Sequence, residues 1–219
     1  MRRIGLHAAA GLLATASAAS ADSLTINLNF EFSGATAPSG SGPWARAEFS
    51  STTAGQVDLK LTSLLNGDAE KITMWTFNLD EALDADDLSI SHVSGQGADA
   101  ILTGTNDYKA DGDGYFDIRF DFPNSGDTFG MGEMAEFKIT GPGITASSFA
   151  FLSVNGPPSK NGFMSAAHVQ GIGAGGGLSG WIAPGGETPP ATVPLPAPLA
   201  LGAAGLGLAA GVRVVTRRK

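Results

Sequence analysis

The chain of 219 residues contains no cysteine. That excludes disulfides, thiolate metal sites, cysteine nucleophiles and lipid attachment through a thiol, although it does not exclude export. Histidine is scarce, with only His7, His92 and His168. Without a cysteine, a transition-metal site would need help from carboxylates. Long amphipathic periods are missing too, and only Leu79–Asp87 has room for a helical turn. Positive charge is short and badly spread. Arg2, Arg3, Arg213, Arg217, Arg218 and Lys219 sit at the two ends, so Asp22 to Thr192 keeps seven basic and twenty-one acidic residues, a net charge of −14. Such a body repels nucleic acid and anionic lipid and attracts divalent cations or basic partners.

What is present is alternation with a period of two. Leu24, Ile26, Leu28, Phe30 and Phe32 share one face of SLTINLNFEF, and Thr25, Asn27, Asn29 and Glu31 share the other. The same pattern places Val57, Leu59 and Leu61 inward, then Trp75, Phe77 and Leu79, then Phe116, Ile118, Phe120 and Phe122. Asp117, Arg119 and Asp121 fall on the outward face. AEFKIT and SSFAFLSV follow the rule as well. Turn formers separate these runs: NGD, SGQG, DGDG, PNSGD, GPG and NGPP. Many short strands, each with one wet face, predict an all-β body at residues 22–183, an antiparallel β-sandwich or jelly roll.

Both ends read as addresses. MRRIGLHAAAGLLATASAASA has a basic start, a short apolar stretch and the small residues Ala19 and Ala21. This is the form of a secretory signal peptide over residues 1–21, with cleavage by signal peptidase after Ala21. His7 lies inside it. Residues 184–192 form a Pro/Gly linker. Val193-Pro194-Leu195-Pro196-Ala197 follows, then an apolar run from Leu199 to Val212, then Arg213 and the basic tip Arg217-Arg218-Lys219. The apolar run is shorter than the roughly 20 residues that span a bilayer, and Arg213 extends it by snorkelling. The prolines hold an extended segment at the membrane face. A basic tip stays on the cytoplasmic side.

These three parts, in this order over residues 193–219, resemble the PEP-CTERM-like sorting signal of the VPLPA type. AAHVQGI and SGWI, just ahead of the linker, are similar to the end of the extracellular domain in many proteins of that group. The resemblance implies a Gram-negative bacterial protein, recognised by an exosortase through Val193–Ala197. A single transmembrane sorting helix would hold it transiently in the inner membrane. Delivery to the cell surface or extracellular matrix, beside exopolysaccharide, would follow removal of the tail.

Chemistry in the body is sparser. Asp111, Asp113 and Asp117 in DGDGYFD resemble a calcium loop, since alternate carboxylates with a bending glycine offer several hard oxygens. Lys109 stands where a further oxygen ligand would belong. A hairpin turn, with Asp-Gly supplying positive φ, is the alternative. The acids Asp80, Glu81, Asp84, Asp86 and Asp87 read as a solvated loop. Gly171 to Gly177 contains GxGxxG, but neither a helix nor a Lys-Ser/Thr pair follows, so it reads as a glycine loop. No GxSxG elbow exists for a hydrolase. Trp44 and Trp181 are candidates for stacking on sugar rings, whereas Trp75 alternates with core positions. The expectation is a non-enzymatic surface or matrix protein with no required cofactor. A carbohydrate-binding module, with calcium as an option, is the alternative, and a secreted hydrolase is third.

Overall fold

The computed structural model describes residues 22–111, 114–154 and 162–185. Eleven strands are present: β1 (Asp22–Leu28), β2 (Phe30–Glu31), β3 (Ala45–Thr53), β4 (Gln56–Ser63), β5 (Lys71–Phe77), β6 (Ser89–Gly95), β7 (Ala100–Lys109), β8 (Tyr115–Asp121), β9 (Met134–Thr140), β10 (Ser165–Ile172) and β11 (Leu178–Ala183). No α-helix occurs among the described residues; two 3-10 turns, Ala85–Asp87 and Ala146–Phe149, stand in their place.

The strands form two sheets with antiparallel pairing throughout. One has five strands in the order β1-β3-β4-β9-β6, and the other has six in the order β2-β11-β10-β5-β8-β7. Their inner faces share one core. Ile26, Phe49, Leu59 and Phe137 enter from the first sheet, and Trp75, Phe77, Phe120 and Val169 from the second. Aromatic rings bridge the layers: Phe49 meets Phe77 edge-on at 5.2 Å, and Phe120 meets Phe137 at 4.8 Å. Such pairs add to the gain from burying their area. The all-β expectation therefore holds, including Trp75 in the core at 0% exposure.

Two sequence expectations fail for local reasons. The first long strand does not keep one face. Leu24, Ile26 and Leu28 are buried, but the chain breaks at Asn29 and continues as β2 in the other sheet. The Asn29 N–H donates to Ala183 O, and the Leu28 carbonyl accepts from Trp44 N, so neighbouring residues serve different sheets. Phe30 then points outward, 49% exposed. SSFAFLSV is not a strand either. The Thr145 N–H donates to Ser148 Oγ at 3.1 Å, a local bond that caps a 3-10 turn instead of joining a ladder. The turn still buries Phe149, which stacks on Phe49 at 4.3 Å.

The outer faces of the two sheets differ. The five-stranded sheet keeps the expected alternation, with a wet outer face. The six-stranded sheet carries a second, smaller core on its outer side, made of Phe32, Ala110, Phe116, Ala166 and Ala183, with Tyr108, Phe163 and Trp181 against it. A bulge between Thr103 and Tyr108 interrupts the pairing of β7 with β8. Beyond it, the hairpin tip brings Ala110 against residues of β10 and β11.

Glycine is required at two close approaches. A Cβ on Gly171 (φ +80°) would lie 1.9 Å from Ala69 O, at the bulge of β10. One on Gly95 (φ +75°) would lie 2.1 Å from Met134 O.

Candidate functional site

The segment that carries the proposed calcium ligands is a hairpin turn, with Lys109 opposite Tyr115. Asp111 takes φ 44° and Gly114 φ 141°, the left-handed geometry that an Asp-Gly turn supplies. Asp113 lies outside the described residues. Asp117 is 8% exposed, although alternation assigns it to a wet face. Both of its oxygens take backbone donors: the Leu79 N–H donates to Oδ2 at 2.8 Å and the Asn106 N–H to Oδ1 at 2.7 Å. Asn106 sits in the β7 bulge at φ 57°. The carboxylate thus straps the end of β5 and the bulge to β8, and charge-assisted bonds of this kind are strong. The cleft beside it holds about 80 Å³, far below the roughly 300–1,000 Å³ of small-molecule pockets. Among the described residues, no group of three or more His, Asp or Glu side chains is arranged to hold a metal ion.

The acidic loop builds its own turns. The Ala82 N–H donates to Asp80 Oδ1 at 2.9 Å, and the Asp86 N–H donates to Asp84 Oδ1 at 3.0 Å, capping the 3-10 turn Ala85–Asp87. The GxGxxG stretch forms the turn between β10 and β11, where the Gly176 N–H donates to Gly173 O.

The two body histidines stand on different sheets. His92 is exposed on the edge strand β6, edge-on to Phe137 at 5.5 Å, with Nε2 3.2 Å from Gly95 O. His168 lies half-buried on the outer side of β10, opposite Trp181 of β11. The two rings stack at 4.8 Å and 30°, and Nδ1 is 3.0 Å from Thr73 Oγ1. Burial pushes the imidazole pKa below its ordinary value, and Asp111 opposes this more weakly. Pairing of β10 with β11 and β5 creates this trio, whose members are separated by up to 108 positions in sequence, so spacing gave no sign of it. Trp44 is buried at 7% exposure, and Trp75 donates its Nε1–H to Ser165 Oγ at 2.8 Å. Of the three tryptophans, Trp181 alone is partly open.

The outer face of the five-stranded sheet is a shallow, open groove of about 750 Å³. Residues across it stand in register as Thr25–Glu48–Lys60–Glu136–Ser94 and Ser23–Ser50–Asp58–Lys138–Ser91. Opposite charges are neighbours, yet among the described residues the only ion pair within 4.0 Å is Arg119–Asp121 on the other sheet. Glu136 instead accepts a hydrogen bond from Ser94 Oγ at 2.6 Å. Alternation in β4 and β9 marks these residues as outward, but the sequence does not say that two strands more than 70 positions apart are partners.

Ala19, Ala21, Val193–Ala197, Arg213, Arg217, Arg218 and Lys219 lie outside the described residues. Among those described, no helix is long and apolar enough to cross a membrane. No family model matches the chain, and no curated protein or solved structure matches it.

Proposed function

We propose that this is an exported, non-enzymatic protein of a Gram-negative cell surface or extracellular matrix, sorted and processed by an exosortase. The observation that carries this reading is the ordered signal of Val193–Ala197, the apolar run and the basic tip, together with the secretory pattern of residues 1–21. In this reading Val193–Ala197 meets the sorting enzyme, Leu199–Val212 holds the substrate in the bilayer, and the tip sets orientation. The described body is a two-sheet antiparallel β fold. We class that body with the β-sandwich and jelly-roll modules. Its role is presentation of an acidic surface. Deleting Val193–Lys219 should abolish processing, and a truncated protein still sorted and processed as before would end the assignment.

A carbohydrate-binding role is the second reading, favoured by the partly open Trp181 ring beside His168 and Thr73. It requires that Trp181→Ala lose retention on an exopolysaccharide matrix while its melting temperature stays within a few degrees. Calcium assistance would appear as a rise in melting temperature on adding the ion, absent in Asp111→Asn.

A further inference from the structure

The body is strongly acidic, but its positive charge is not evenly shared. Three of its seven basic residues, Arg46, Lys60 and Lys138, point outward from the five-stranded sheet, beside the acids Glu48, Asp58 and Glu136. This face is balanced while the remainder is heavily negative. Like net charges repel, so a balanced face is where two copies of an acidic protein approach at least cost.

Its pattern goes further than balance. Lys60 and Asp58 lie side by side on β4, and Glu136 and Lys138 stand opposite them on β9. The four form a block in which each charge has opposite neighbours along and across the strands. Turn a second copy over about an axis parallel to the strands, between β4 and β9. Lys60 then faces the second copy's Glu136, and Asp58 faces its Lys138, each contact occurring twice by symmetry. The same operation sets β6 over β3. There Val93, the extra residue of the β6 bulge and 57% exposed, meets the hollow lined by Ser23, Thr25 and Ser50. Among the described residues, none of the four block residues is engaged in an ion pair within its own chain.

We propose that the outer face of the five-stranded sheet docks a second copy of this chain about that two-fold axis, with Lys60–Glu136 and Asp58–Lys138 as the intermolecular pairs. The contact packs sheet on sheet with strands nearly aligned. Pairs that are only partly desolvated contribute modestly, so the dimer is weak and reversible. It follows from the described strands alone and is independent of how the protein is sorted.

Sedimentation of the full chain in mild detergent, over a concentration series, tests this. The wild type should dimerise, and Lys60→Glu should weaken the dimer about a hundredfold or more, because it sets like charges together at two symmetric contacts. Lys71→Glu, which changes net charge equally but lies on the other sheet, should leave association unchanged. Lys60→Glu with Glu136→Lys should restore the dimer, as should the independent swap Asp58→Lys with Lys138→Asp. Lys60→Glu with Asp58→Lys should not. A wild type that stays monomeric, or a dimer indifferent to Lys60→Glu, overturns the proposal. So do swaps that melt as the wild type but stay monomeric, and restoration by Lys60→Glu/Asp58→Lys in place of Lys60→Glu/Glu136→Lys.

Discussion

The two sheets share a core but treat their outer faces in opposite ways. The five-stranded sheet leaves its outer face wet and charged, with the side chains of β4 alternating between buried and open. The six-stranded sheet covers much of its own. Thr76 and Ala166 point outward from β5 and β10, and both are fully buried at 0% exposure. The difference teaches that half-buried is a property of position in the sheet as much as of the strand. A wet-looking face goes dry when apolar side chains from other segments, here Phe32, Ala110 and Phe163, gather on it.

The largest expected effect is on that outer cluster. Phe116→Ala should cost about 4 kcal/mol, as for a full core aromatic, because Phe116 is 0% exposed. A loss below about 1 kcal/mol in urea unfolding would mean that the cluster is surface decoration. Asp117→Ala comes next, at about 3 kcal/mol, since one buried and one part-buried N–H donor lose a charged acceptor.

The third effect is a pH dependence. The folded pKa of His168 lies below its unfolded value, so above the unfolded pKa, about 6.5, the group adds no pH dependence. As pH falls through that value, the unfolded chain takes up a proton more readily than the folded one, and stability drops until the folded pKa is passed. His168→Gln should flatten this acid-side slope in melts across pH. An unchanged slope would mean that His168 is not shielded by its neighbours. The smallest effect is on the wet sheet. Glu48→Ala should move stability by no more than about 0.5 kcal/mol, and a larger loss would show that the two outer faces are less different than described.

The alternating runs at Val57–Leu61, Trp75–Leu79 and Ile118–Phe122 were legible because a one-residue slip would turn apolar side chains to water, whereas Phe116, expected to join the last of them, packs in the outer cluster instead. The switch at Asn29 was not, because alternation continues through Phe30 and Phe32 while the chain changes sheets. The burial of Asp117 was hidden for a similar reason: its cover comes from Leu79 and Asn106, neither near it in sequence. At Thr145–Phe149 a side-chain cap outcompeted a strand-like pattern. Of the candidate chemistry, the hairpin turn at Asp111 was readable from Asp-Gly. The His168–Trp181–Thr73 trio and the charge block needed strand pairing, which one sequence does not encode locally.

The proposed export and tail removal meet their most direct test in the intact mass of the protein recovered from medium and from membranes. The account predicts a released species that begins at Asp22 and lacks the apolar run and basic tip, with any attached group visible as added mass. Only the unprocessed chain of 22.2 kDa, retaining Met1 and Lys219 in every fraction, would contradict it.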